Sequence, residues 1–207
     1  MAHPAYIRAS SRSDLSQWVV HFVRTSFFQL PNLFMSGSQI FHNIMVEGQI
    51  RPSMSEQITR CCSSGATCFY DIPPKAWPEV ISTNPNSRLG LGIIVHKSAF
   101  WSLGGRPVIY TDITSAGYWP ESERYRLVHT DLLRHPQPID WTHEREGRLC
   151  GPLRLYQQTF PYVWWWPVVP SEDWLPWIWQ SYPWVQTVYV MSLGYSVSRV
   201  LPRLTTF

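Results

Sequence analysis

Prolines and glycines are spread along this chain and divide it into short predicted helices and strands. The sequence holds 18 prolines and 11 glycines among 207 residues. Proline removes a backbone donor and clashes with the preceding helical turn, and glycine weakens the interior of helices and strands alike. The structure must therefore be built from short elements. We predict an α+β fold over residues 1–207, a single domain with a mostly antiparallel sheet and flanking helices.

Two segments near the N-terminus carry clear local patterns. The apolar, β-branched run 18–23 predicts a strand. Residues 37–48 predict a helix, because apolar side chains recur there at helical spacing. Ser38 can cap the start of this helix, and Gly48 lies where a left-handed residue commonly ends one.

Further short strands are indicated between the turns of the chain. They are predicted at residues 68–71, 89–97, 106–110, 162–169 and 185–191, with partial helix around 121–133. In the strand 89–97, Gly90 and Gly92 permit a neighbouring backbone to approach closely. No internal repeat or low-complexity segment interrupts this series, which supports the single-domain prediction.

The tryptophans are concentrated in the last third of the chain, and seven of the twelve lie between residues 164 and 184. Strand alternation across Trp164, Trp165 and Trp166 would place Trp165 on the face opposite the other two. Large amphipathic aromatic side chains serve both cores and interfaces. Core packing is the first interpretation, and contact with a protein, a nucleic-acid base or a membrane surface is the alternative.

Charge and cysteine usage restrict the partners and the compartment. The formal net charge of +3 is compatible with a polyanionic partner, but it is far below that of a dedicated nucleic-acid binder. The four cysteines lack the spacing of a zinc site, so we expect no metal and reduced thiols. The N-terminus lacks a signal-peptide pattern and no apolar run reaches membrane-spanning length, so we expect a cytoplasmic protein.

A cluster of charged side chains is the best candidate for chemistry. Residues 143–148 read His-Glu-Arg-Glu-Gly-Arg. On a strand, Glu144 and Glu146 would point the same way, with Arg145 on the opposite face. Paired carboxylates can serve catalysis, whereas a solvated strand with cross-strand ion pairs is the structural alternative.

Several short motifs occur in an order that resembles a known family. In chain order they read VHFVR at 20–24, EGQIRP at 47–52, CFYD at 68–71, LGIIVHK at 91–97, GRPVIY at 105–110 and WTHEREGR at 141–148. This succession resembles the AbiGi-type abortive phage-infection family. It is also similar to DarT-type toxins, which ADP-ribosylate nucleic acid using NAD. The resemblance spans roughly residues 18–170, and residues 171–207 form a Trp-rich extension outside it.

The resemblance implies an ADP-ribosyltransferase-like fold, with a split, mostly antiparallel central sheet and flanking helices, that uses NAD as co-substrate. It assigns the nicotinamide end of NAD to His21 and the catalytic carboxylate to Glu146, with Glu144 as the second glutamate. The other cofactor-binding residues that it implies are Phe22 and Tyr110, together with Arg24, Arg51 and Arg88, between which the choice of phosphate contact stays open.

The function that follows from the resemblance is modification of DNA or RNA by a toxin-like effector of phage defence. A cognate antitoxin protein is the expected partner besides the nucleic acid. The alternative is a protein without enzymatic activity, such as an antitoxin, a partner-binding subunit or a sensor that binds a phage component through its Trp-rich end. An enzyme requires that His21 and Glu146 converge on one pocket, whereas a binding subunit requires only an exposed interface.

Overall fold

The structure is a computed structural model that describes residues 16–24, 26–27, 34–82, 88–140, 142, 145–156 and 164–199. Its main feature is an eight-stranded sheet. In spatial order the strands are β14 (Tyr195–Ser198), β13 (Thr187–Val190), β12 (Trp165–Val169), β6 (Arg88–His96), β1 (Trp18–Arg24), β5 (Ala66–Tyr70), β10 (Glu146–Cys150) and β7 (Arg106–Pro107). Neighbouring strands run antiparallel, except that β12 and β13 are parallel. The predicted mixed fold with a mostly antiparallel sheet is confirmed.

The remaining elements are short, as the proline and glycine content requires. Three two-stranded pairs join β2 (Ser26–Phe27) to β3 (Phe34–Met35), β4 (Gln49–Ile50) to β11 (Leu153–Arg154), and β8 (Ile109–Thr111) to β9 (Leu127–His129). The α-helices are α1 (Gly37–Glu47), α2 (Glu56–Thr59), α3 (Trp77–Ser82), α4 (Lys97–Ser102) and α5 (Leu175–Ser181). Short 3-10 helices lie at Pro74–Ala76, Ile113–Tyr118, Glu121–Arg126 and Glu172–Trp174.

Both faces of the sheet are covered by apolar side chains. Along β6, Ile93 belongs to one buried cluster and Ile94 to another, because successive side chains of a strand point to opposite faces. The larger cluster is closed by α1 and α5, which contribute Phe41 and Ile178. The smaller one is closed by Trp77 at the start of α3. A central strand buried on both sides explains why β6 reads as a continuous apolar run.

The two N-terminal predictions are confirmed, with one correction. The strand predicted at 18–23 is β1, and the helix predicted at 37–48 is α1. Gly48 ends the helix with φ 66 and donates its N–H to the Ile44 carbonyl over 2.9 Å, as the left-handed cap requires. The cap at the start is Ser36 rather than Ser38. Its Oγ accepts the Gln39 N–H at 3.2 Å, whereas residue 38 lies inside the first turn.

The predicted close approach of a neighbouring backbone at Gly92 is confirmed, and the neighbour is β1. Phe22 of β1 pairs with Gly92 of β6. A Cβ atom at residue 92 would lie 2.5 Å from the backbone oxygen of His21, a distance that no side chain tolerates. Glycine at this position therefore allows β1 and β6 to lie at normal strand spacing next to His21.

Several later predictions were wrong in extent. The segment 106–110 is not one strand: Arg106–Pro107 joins the main sheet as β7, and Ile109–Thr111 pairs in parallel with β9. The helical stretch predicted at 121–133 is a 3-10 turn that ends at Arg126 and runs directly into β9. The helices α2, α3, α4 and α5 and the short strands β2, β3, β4, β9, β11 and β14 were not predicted.

The Trp-rich C-terminal region continues the main sheet. Between residues 171 and 199 the chain forms α5 and then the last two strands of the sheet, β13 and the edge strand β14. Trp164 is buried but precedes β12, and it lies against the same cluster as Trp165, whereas Trp166 packs against the other cluster. The core interpretation is confirmed for Trp164, but the predicted pairing of Trp164 with Trp166 on one face is wrong. Within the described residues, no helix has the length and apolar character needed to cross a bilayer.

Candidate functional site

A cleft of about 470 Å³ lies where β1, β5 and β10 run side by side in the main sheet. Each strand contributes side chains to its wall, and the segment that connects β4 to α2 forms the opposite side. The polar and charged lining residues are His21, Arg24, Arg51, Ser53, Ser55, Gln57, Cys68, Tyr70, Glu146 and Arg148. The volume is typical of pockets that bind small molecules. This cleft is the candidate site.

His21 lies in the middle of β1 and is held by the neighbouring strand. Its Nδ1 lies 2.8 Å from the Cys68 backbone oxygen of β5, and its ring packs edge-on against Phe69. A carbonyl can only accept, so Nδ1 carries the proton and donates it. Burial, opposed by that hydrogen bond and aided by Arg24, lowers the pKa of His21. The neutral ring therefore retains Nε2 as a hydrogen-bond acceptor.

Glu146 opens β10 and is paired with Arg148, two residues further along the same strand. The Nε and Nη2 atoms of Arg148 donate to the two carboxylate oxygens at 2.8 and 3.2 Å. The side chains are only 5% exposed for Arg148 and 11% exposed for Glu146. Their spacing of two residues places both on one face of the strand. The result is a bidentate ion pair in the wall of the cleft.

Arg148 is anchored on its other side by backbone carbonyls. Its Nη1 donates to the backbone oxygens of Tyr125 and Leu127 at 3.3 and 3.0 Å. Burial alone would lower the pKa of Arg148, but Glu146 raises it above its ordinary value. Burial, and next the Glu146 carboxylate, raise the pKa of the Cys68 thiol. Cys68 therefore stays protonated near neutral pH and is not an activated nucleophile.

Two further arginines of the lining stand closer to solvent. Arg24, at the end of β1, donates to the Tyr70 hydroxyl. Arg51 follows β4 and forms a two-point pair with Glu47 at 2.7 and 3.0 Å, although its side chain is 74% exposed. With a neutral His21, the described part of the lining carries three arginines and one carboxylate, and Glu47 outside the lining pairs with Arg51. Its field therefore favours an anionic ligand.

The residues predicted as site residues fall into three groups. The structure brings His21, Phe22, Arg24, Arg51 and Glu146 to the cleft. Tyr110 lies just behind it, where its hydroxyl oxygen is 3.3 Å from the Glu146 backbone nitrogen. Glu144 and the side chain of Arg88 fall outside the residues that the structure describes.

The predicted strand geometry around the two glutamates does not extend to Arg145. β10 begins at Glu146, and Arg145 precedes it with φ 44, outside strand conformation. The Asp71 N–H donates to the Arg145 carbonyl at 2.9 Å, which fixes the entry into β10. That Glu144 shares a face with Glu146 stays a prediction.

Arg148 is the functional candidate that the sequence analysis missed. The signal was present, because period-two alternation pairs residue 146 with residue 148 just as it pairs residue 146 with residue 144. Opposite charges at that spacing indicate an ion pair on one strand face. Cys68 and Gln57 gave no such signal, because their place in the cleft depends on how separate segments come together.

Comparisons with known proteins found no match to this chain. No family model, no curated protein and no solved structure matches the chain. Among the described residues, no group of three or more His, Cys, Asp or Glu side chains is arranged to hold a metal ion. The chemistry of the cleft must therefore be argued from its side chains.

Proposed function

We propose that this chain is an NAD-dependent ADP-ribosyltransferase that modifies DNA or RNA as an effector of phage defence. The observation that carries the proposal is that His21 and Glu146, far apart in sequence, line one cleft. This convergence is what an enzyme of this type requires and what a pure interface does not. The sheet is compatible with an ADP-ribosyltransferase-like fold, which is part of the proposal.

Four side chains of the cleft have a use in such a reaction. NAD would supply an ADP-ribosyl group that leaves nicotinamide through an oxocarbenium-like state. Glu146 carries the negative charge that stabilises a developing positive charge on the ribose. Neutral His21 offers one acceptor without adding positive charge beside it. Arg24 and Arg51 supply the cationic groups that a pyrophosphate binds.

A nucleic-acid acceptor fits the sign of the surface charge. The chain carries a net charge of +3, and the lining of the cleft adds to it locally. A phosphate backbone would be attracted to this field, and the attraction would weaken as salt is raised. A toxin of this kind needs a cognate antitoxin, which we propose as its protein partner.

A second candidate function rests on the ion pair itself. Both oxygens of Glu146 accept hydrogen bonds from Arg148. A carboxylate held in this way can be purely structural, as in a relative that binds ligand or partner without turnover. In that case the chain is an antitoxin or a phage-sensing subunit of an abortive-infection system, and Glu146 contributes to folding alone.

Incubation with labelled NAD separates the two functions. Purified protein is mixed with NAD and either single-stranded DNA or RNA, and label on the nucleic acid is measured. We expect label with wild type and a loss of roughly 10²–10³-fold in rate with Glu146→Gln. Glu172→Gln, at an exposed position outside the cleft, is the matched control and should keep the wild-type rate.

Folding must be verified separately for Glu146→Gln. A glutamine keeps one oxygen for Arg148 but turns an amide donor toward the other guanidinium nitrogen, so the variant loses part of the pair. Its Tm is therefore measured beside its rate. Absence of label with every acceptor, together with no rise of the wild-type Tm at millimolar NAD, would favour the binding subunit.

Growth of cells that express the protein provides an independent comparison. An active effector should slow growth, and Glu146→Gln at equal protein level should not. An antitoxin would be harmless alone and protective beside its toxin. Equal growth with both forms of the protein would count against an effector that is active without a trigger.

A further inference from the structure

Two cysteines that are distant in sequence meet next to the cleft. The sulfur atoms of Cys62 and Cys150 lie 3.3 Å apart, and 88 residues separate them. Both occur as free thiols. Cys150 is exposed at the end of β10, whereas Cys62 is half-buried in the turn after α2. A solvent-borne reagent can therefore reach one sulfur while the second stands beside it.

The backbone around the two thiols fixes their positions. Cys150 pairs with Ala66 in the ladder between β10 and β5. One residue further along, the Gly151 N–H donates to the Gly65 carbonyl at 3.0 Å. The Gly65 N–H in turn donates to the Cys62 carbonyl at 3.0 Å, which closes the turn. The sulfur atoms meet because of this register, and they need to approach by only about 1 Å to reach bonding distance.

We propose that Cys62 and Cys150 form an oxidative modification site, at which hydrogen peroxide converts the two thiols into an intramolecular disulfide. The sulfur of the exposed Cys150 attacks one peroxide oxygen, and hydroxide leaves and takes up a proton as water. The resulting sulfenic acid is attacked by the Cys62 sulfur. The S–S bond forms as the S–O bond breaks, and the Cys62 proton leaves with the oxygen as a second water.

Such a site needs one thiol that a reagent can reach and a second thiol beside it. Cys61 and Cys68 each lack one of these two features. Cys61 is buried, and burial raises the pKa of its thiol. Cys68 has its pKa raised by burial and by Glu146, and it lies in the cleft wall with no cysteine beside it among the described residues. Partial burial and the contact with Cys62 raise the pKa of Cys150 to about 11. Peroxide attack is therefore the slow step, and capture by the adjacent thiol follows rapidly.

The disulfide would join two walls of the cleft. Cys62 follows α2, whose Gln57 and Ile58 line the cleft on one side. Cys150 ends β10, whose Glu146 and Arg148 line it on the other. Oxidation would fix the α2 segment to the sheet and restrict its motion. The inference does not depend on the proposed transferase activity, because it concerns the thiols and the elements that carry them.

Thiol counting and peptide mapping on the full chain test this inference. Reduced protein is treated with excess hydrogen peroxide, alkylated under denaturing conditions and digested. We expect the number of free thiols to fall from four to two, with one cross-linked peptide pair that contains Cys62 and Cys150. Cys150→Ser should abolish this cross-link. Cys61→Ser, which removes the neighbouring thiol, should preserve it.

Stability and exchange measurements give a second result on the same samples. The oxidised wild type should have a Tm higher by roughly 5–15 °C than the reduced form, because the cross-link closes a long loop. Amide exchange across residues 53–62 should be slower after oxidation. A count that stays at four thiols, a cross-link through Cys61 or Cys68, or an intermolecular cross-link would overturn the inference.

Discussion

Replacing Arg148 by methionine tests whether the buried ion pair is the central contact of the cleft. Methionine has similar length and is apolar, so it fills the space but donates no hydrogen bond. The change leaves the Glu146 carboxylate, 11% exposed, without its counter-ion. It also removes the donor shared by the carbonyls of Tyr125 and Leu127.

The expected magnitude follows from this burial. Removing one partner of a buried ion pair typically costs about 3–5 kcal/mol, because the remaining charge stays desolvated. For a chain of this size each kcal/mol lowers the Tm by about 2–4 °C, so Arg148→Met should lower it by roughly 6–20 °C. Arg51→Met is the matched control. Arg51 also lines the cleft and pairs with a glutamate, but it is 74% exposed, so its loss should cost about 1 kcal/mol or less.

A double-mutant cycle isolates the pair. Unfolding in urea is followed by tryptophan fluorescence for wild type, Arg148→Met, Glu146→Gln and the double variant. The double variant should be more stable than Arg148→Met, because neutral glutamine removes the unpaired charge. The reasoning is refuted if Arg148→Met is no more damaging than Arg51→Met, or if the two single effects simply add.

Two further predictions concern β1 and its neighbour. Between about pH 7 and pH 5 the wild type should lose stability, because an unfolded histidine takes up a proton near pH 6.5 whereas burial lowers the pKa of folded His21. His21→Asn keeps a donor for the Cys68 carbonyl without titrating, so its Tm should fall less over that range; equal slopes would contradict this. Gly92→Ala should cost about 1–3 kcal/mol, since the new Cβ meets the His21 backbone at 2.5 Å. Gly117→Ala, where a Cβ meets nothing within 4 Å, is its control, and similar urea midpoints for both would refute the steric argument.

The parts of the fold that were predictable have local causes. β1 is a run of β-branched and aromatic residues, and α1 has apolar spacing and a left-handed Gly48. The helix α5 was missed because its sequence, LPWIWQS, has a proline in its first turn and three aromatic or β-branched positions that also suit a strand. It forms because Ile178 and the surrounding tryptophans bury against the sheet. Such tertiary packing overrides local preference and leaves no periodic signal in a seven-residue segment.

From the sequence pattern alone, contacts in the site were predictable only between residues of the same strand. Glu146 and Arg148 lie two residues apart on β10, so their pairing could be inferred from alternation alone. The meeting of His21 with Glu146 was expected from a family resemblance, and it depends on β5 lying between their strands. The contact of Cys62 with Cys150 depends on the register of β5 and β10, which sequence spacing does not encode.

Under the proposed function, Glu146 could act as a general base or stabilise positive charge on the ribose, and the ion pair with Arg148 distinguishes these two roles. If Glu146 took up a proton from the nucleobase that is being modified, its carboxylate would become neutral. Arg148, only 5% exposed, would then be left without its counter-ion. That state carries the same desolvation penalty as removal of a partner, about 3–5 kcal/mol. Stabilising positive charge on a ribose involves no such loss, because the carboxylate stays ionised. Glu146→Gln should therefore slow NAD cleavage without acceptor as much as it slows transfer. If transfer alone were slowed, Glu146 would act as the base, and the pair with Arg148 would have to open during turnover.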